Sequence, residues 1–247
     1  MFTIYFNGFI VVLLFFMSTS AMAVEKLKNK TLSVVDSEYT YINDEFKGQG
    51  FVKKIISSET GMGFYYFVFV EKPIKKEEYK GKVITDYGLK VDGEWGEIKK
   101  EKEDDITYTT KNLRAYILLS DHGGYDRIQK FQDDGNAIYW PDFVYNDCFV
   151  DDADNDGYPE FYLTYFGLSD GLDAKPLKII VYNSKVKVGD GFMKAKMTAF
   201  YPVGNEGDNY RVEYDEAWLS LPDAIKTRTK KILDGYNSNM PNVVTSK

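Results

Sequence analysis

The chain has 247 residues, 44% hydrophobic and 16% aromatic, with 20 Tyr and 17 Phe. That is enough apolar material for one large core or two small ones, and the aromatic bias favours pleated, half-buried β structure. With 31 basic and 38 acidic side chains, a net charge of −7 and one histidine, the composition argues against nucleic acid and anionic membrane surfaces as partners and excludes a His-rich metal site.

Residues 1–23, MFTIYFNGFIVVLLFFMSTSAMA, carry no charged side chain. An apolar stretch centred on Phe9 to Met17 ends in Ala21-Met22-Ala23, the small-x-small form of a signal-peptide cleavage site. The n-region departs from the usual pattern, because only the α-amino group is positive there. The alternative is an uncleaved anchor. Against it stand the interruption at Asn7-Gly8 and a run shorter than the roughly 20 residues of a membrane span. Cleavage after Ala23 is expected, which gives a periplasmic or extracellular chain with no membrane span. That compartment is oxidising, yet the single Cys148 permits no intramolecular disulfide. Between apolar neighbours in VYNDCFVDD, Cys148 reads as a small buried residue rather than a reactive or intermolecularly paired thiol.

The remainder, 24–247, is expected to be a single mainly-β (α+β) domain of antiparallel strands. Residues 24–45 are polar and mixed, and read as an extended lead-in. GMGFYYFVFVEKP predicts a strand from about Gly63 to Val70, closed by Pro73. The charged, Gly-punctuated stretch that follows reads as hairpins or loops with solvated faces. LRAYILLSDHGGYDRIQKFQDDGN predicts two strands around a Gly-rich turn at Asp121-His122-Gly123-Gly124. Further strands fit EFYLTYFG, PLKIIVYNS and KAKMTAFYP. The tail changes period: Pro222 can open a helix, Gly235 can close it, and Ile225, Ile232 and Leu233 form one apolar stripe between them.

DDADNDGYPE, 151–160, carries the most specific pattern. Asp152, Asp154 and Asp156 stand at positions 1, 3 and 5 of a loop, Gly157 at 6 and Glu160 at 9. Ca2+ takes six to eight oxygens, and alternate carboxylates on a tightly wound loop converge to supply them. The glycine permits the sharp reversal, and the carbonyl of Tyr158 would add an oxygen. Position 12 is Leu163 where an EF-hand needs a bidentate Glu, and the flanks read as strands, so a helix-loop-helix sensor is rejected. The pattern is D-x-D-x-D-G-x-x-E between strands. A metal-free acidic turn is the alternative; four carboxylates this close repel one another unless something neutralises them, which favours a cation, and Ca2+ over the rigidly octahedral Mg2+.

NDCF, DADNDGYPEFYLTYF, DGLDAKPLKIIVY and KAKMTAFY together resemble a group of small secreted bacterial proteins described as surface polysaccharide biosynthesis proteins. The resemblance covers roughly residues 110–235. The acidic loop also looks like the calcium loop of FG-GAP and VCBS repeats, although its single copy excludes a multi-bladed propeller. The match implies side-chain ligands at Asp152, Asp154, Asp156 and Glu160 and no defined catalytic residues.

No nucleophile-elbow, P-loop or dinucleotide-binding motif is present. His122 lies alone in its turn, and pairing with Cys148 lacks an orienting group. Two functions therefore stand open. The first is a non-catalytic envelope or surface-associated protein with a structural Ca2+ loop, with surface polysaccharide or another envelope protein as partner. The second is a carbohydrate-active enzyme using two carboxylates from among Asp142, Asp147, Asp170 and Asp173, beside Trp140. Most of Trp95, Trp140 and Trp218 are expected in packing rather than on a sugar-stacking face.

Overall fold

A computed structural model describes residues 27–91, 94–102, 106–169, 171–203 and 209–236. The expected signal segment, 1–23, lies outside the described residues. In chain order the elements are β1 (Lys28–Thr31), α1 (Ser37–Glu45), β2 (Phe51–Thr60), β3 (Gly63–Tyr79), β4 (Val83–Leu89), β5 (Trp95–Lys102), β6 (Ile106–Asp121), β7 (Gly124–Asp134), β8 (Tyr139–Phe143), β9 (Phe149–Asp151), β10 (Glu160–Ser169), β11 (Lys175–Val188), β12 (Gly191–Tyr201), β13 (Arg211–Tyr214), α2 (Glu216–Leu219) and α3 (Asp223–Asp234). The fold is mainly β with antiparallel pairing and a C-terminal helix, as the sequence predicts.

Two sheets pack face to face. The first runs β1-β2-β3-β6-β7 and the second β13-β12-β11-β10-β8. β9 pairs with the start of β10, and β8 with its end. Between the sheets, Phe67, Phe69 and Phe131 meet Phe143, Phe161 and Tyr165. α1 covers the outer face of the first sheet, with Ile42 and Phe46 against Tyr66, Val68 and Tyr116. α2 and α3 cover the outer face of the second, with Trp218, Ile225 and Ile232 grouped with Tyr162, Phe166 and Val181. Successive strand residues point to opposite faces, so β3 sends Phe67 and Phe69 inward and Tyr66, Val68 and Val70 toward α1. Strands covered on both sides read as unbroken apolar runs rather than alternating ones, which accounts for FYYFVFV and FYLTYF.

Three expectations need correction or refinement. Residues 24–45 are not simply an extended lead-in: β1 is extended, but Ser37–Glu45 is helical. Tyr39, Ile42 and Phe46 recur at helical spacing, and the last two are almost fully buried on the first sheet. Pro73 does not close β3, which continues to Tyr79. β2 stops pairing at Glu71, and the β3–β6 register shifts between Pro73 and Lys75. A residue without an N–H is tolerated at such an edge and bulge. The charged stretch after it forms the β4–β5 hairpin, a separate two-stranded ribbon.

His122 has φ 42° and Gly123 φ 87°. Positive φ at both central residues of a two-residue hairpin loop is the primed turn that matches strand twist. His122 is thereby a turn residue with an exposed side chain. In the tail, Pro222 precedes α3 and Gly235 follows it; Ile225 and Ile232 are buried and Leu233 is partly buried.

Candidate metal centre

The acidic segment connects β9 to β10. Asp151 and Glu160 are register partners at the base of this hairpin, so 152–159 form its loop. The loop winds on its own carboxylates. Asp152 accepts the N–H of Asp156 at Oδ1 (3.0 Å) and of Gly157 at Oδ2 (3.1 Å). Asp156 Oδ1 accepts the Tyr158 N–H (2.9 Å), and Glu160 Oε2 the Ala153 N–H (2.8 Å). Asn155 (φ 56°) and Gly157 (φ 86°) take the left-handed turns that the winding requires, and Asn and Gly are the residues that tolerate them. One carboxylate oxygen from each of Asp152, Asp154, Asp156 and Glu160 lies within 4.8 Å of the other three.

Glu160 is the deepest of the four, with 0% of its surface exposed. Its Oε1 and Asp154 Oδ1 are buried and meet no hydrogen-bond partner among the described residues. A buried charge without a partner is costly. Burial pushes the Glu160 carboxyl up to about 8; the Ala153 N–H pulls the other way, and Asp154, Asp152 and Asp156 add to the rise. Burial and then the negative charges of Asp156 and Asp152 hold the Asp154 carboxyl above its ordinary range as well. At the rim, the Lys185 ammonium lies 2.8 Å from Asp156 Oδ2. These four residues can hold a metal ion through oxygen ligands alone, the donor set of a hard cation.

The structure brings together Asp152, Asp154, Asp156 and Glu160 as the sequence predicts. Leu163 points into the inter-sheet core, in keeping with the absence of an EF-hand ligand at that position. What surrounds the loop was not legible in the sequence. Arg228 of α3 donates to Asp151 Oδ2 (2.7 Å) and lies over the Phe149 ring at 4.4 Å. Phe149 in turn stacks on Tyr162, centroids 4.7 Å apart. The hairpin that carries the loop is thus clamped to α3.

The carboxylates considered for catalysis are scattered. Asp142 binds Lys111, whose ammonium also meets Glu71 at 3.0 Å. Tyr145 donates to Glu71 Oε1 (2.7 Å), so this cluster joins the two sheets. Burial pulls the Lys111 ammonium down, but Asp142 and Glu71 outweigh it and hold it above its ordinary range. Asp147 accepts from the Tyr236 hydroxyl. Asp173 is exposed, and Asp170 lies outside the described residues. Trp140 is half-buried on β8 and Trp218 is buried against Tyr214; the Trp95 side chain lies outside the described residues. Cys148 is fully buried, and burial pushes its thiol up to about 12, so it is the inert apolar residue its neighbours implied. Lys54 spans the sheets beside it, donating to the carbonyls of Tyr145 (2.6 Å) and Cys148 (2.8 Å). Among the described residues, no helix is long and apolar enough to cross a membrane.

No family model, no curated protein and no solved structure matches this chain.

Proposed function

We propose that the β9–β10 loop binds Ca2+ as a structural ion, in a non-catalytic protein of the cell envelope or surface. The observation that carries this is Glu160: a fully buried carboxylate whose Oε1 has no partner among the described residues and lies among three aspartates. Asp152, Asp154, Asp156 and Glu160 supply side-chain oxygens, and the Tyr158 carbonyl adds one. A flexible shell of this kind suits Ca2+ better than Mg2+, and extracellular Ca2+ modules work at Kd values of about 10⁻⁴–10⁻³ M. The ion offsets two of the loop's four negative charges, stiffens the β9–β10 hairpin and, through Asp151 and Arg228, braces α3. Secretion rests on the N-terminal segment, and a link to surface polysaccharide rests on the resemblance of residues 110–235. No described pair of facing carboxylates beside Trp140 supports a glycosidase, because Asp142 is already bound to Lys111.

The test is thermal unfolding in chelator and in about 10–100 mM Ca2+, about 100 times Kd values of that order. An ion bound only by the folded state, at 100 times its Kd, adds about 2.7 kcal/mol. The melting temperature should rise with Ca2+ in the wild type and stay fixed in Asp154→Ala. An unchanged wild type would reduce the loop to an acidic turn.

A further inference from the structure

We propose that Lys185 is a tethered cation that competes with the loop's metal ion for Asp156; this deepens, and depends on, the reading of the loop as a Ca2+ site. Asp156 Oδ1 is committed to the Tyr158 N–H, so Oδ2 is the oxygen left to face an ion, and the Lys185 Nζ stands 2.8 Å from it. The position of Lys185 is built. Across the ladder Glu160 faces Asn183, and the β11–β12 register breaks between Asn183 and Lys187, which frees the intervening residues to turn toward the loop. The Lys185 N–H donates to Asn183 Oδ1 (2.9 Å), and the Ser184 N–H to the Pro159 carbonyl (3.3 Å). The backbone that carries Lys185 is therefore fastened to the loop itself.

An ammonium and a divalent cation repel at the separation one shared oxygen would impose. The Lys185 side chain is 52% exposed, so its flexible stem can swing into water at small cost. Without metal it neutralises the rim of the site, while Glu160 Oε1 at the bottom stays without a partner. With metal it is expelled. Lys185 thus keeps the loop wound before the ion arrives and weakens the binding of that ion.

The experiment is calorimetric titration with CaCl2 of the wild-type chain, Lys185→Gln and Lys187→Gln, at physiological ionic strength. Lys187 is the control, since its ammonium lies over the Phe192 ring at 4.1 Å rather than on the loop. Lys185→Gln should bind Ca2+ roughly two- to fivefold more tightly than wild type, the range set by a partly exposed ion pair. Lys187→Gln should change by less than about twofold, because exposed charges farther away are screened. In chelator Lys185→Gln should melt below the wild type, and in saturating Ca2+ the two should converge, because the expelled ammonium no longer contributes. Equal affinity in wild type and Lys185→Gln, weaker binding in Lys185→Gln, or an equal gain in Lys187→Gln would overturn the competition while leaving the Ca2+ site standing. No binding by any of the three would overturn the Ca2+ site itself.

Discussion

Glu71 and Glu160 are both buried carboxylates on strands covered on both faces, and they meet different company. Glu71 faces the inter-sheet space, where Lys111 from the neighbouring strand and Tyr145 from the turn joining β8 to β9 both reach Oε1. The chain supplies its own cation there, and Asp142 joins the same ammonium. Glu160 lies among three further acids, and its Oε1 meets no partner among the described residues. Among the described residues the one ion pair on that loop joins the half-exposed Lys185 to Asp156. The first cluster is closed by protein groups alone. The second has, among the described residues, no cation from the protein at its centre, an arrangement that could hold a metal ion.

The comparison breaks if the first cluster depends on Ca2+ or the second does not. The largest effect is expected from Lys111→Met. Removing one partner of a buried pair leaves an uncompensated charge and costs about 3–5 kcal/mol, about 10 °C in melting temperature for a chain of this size. That loss should be the same in chelator and in Ca2+. Next comes Asp154→Ala, which should forfeit the Ca2+-dependent increment of about 2.7 kcal/mol and cost little in chelator, where it also removes a repulsive charge.

The pH response sharpens the contrast. The folded, metal-free Glu160 holds its proton up to about pH 8, well above the ordinary carboxylate value. A raised folded-state pKa contributes stability that is present at low pH and lost as pH rises toward 8. In chelator, stability should therefore fall by up to about 1.4 kcal/mol between pH 6 and pH 7, and Glu160→Gln should remove that slope. In saturating Ca2+ the slope should flatten in the wild type, because the bound ion holds the carboxylate ionised. Urea unfolding at the two pH values, with and without chelator, reads all of these. The smallest effect is expected at the cap of α2, where Asp215 Oδ1 accepts the Trp218 N–H at 3.1 Å. Asp215→Ala should cost about 1 kcal/mol, with no dependence on Ca2+.

Some elements were legible because their cause is local. The β6–β7 turn follows from His122-Gly123, the C-terminal helix from Pro222, Gly235 and an apolar stripe at helical spacing. The convergence of Asp152, Asp154, Asp156 and Glu160 follows from a loop that winds on its own backbone N–H groups. The helix at Ser37–Glu45 was hidden because only Tyr39, Ile42 and Phe46 mark its buried face, and the residues between them are polar. Pro73 misled because a strand's tolerance of proline depends on whether a neighbour pairs at that point, and β2 had already ended.

The sequence by itself determined the β-rich class, the terminal helix and the ring of four acids, since each depends on residues within about ten positions of one another. Tertiary structure alone decided which cations the neighbouring and cross-sheet acids meet. Arg228 lies 77 residues from Asp151, and Lys111 lies 40 from Glu71 and 31 from Asp142. Whether a carboxylate is neutralised by the chain or left for an ion depends on which distant side chains the sheets bring within about 3 Å, and no local pattern encodes that distance.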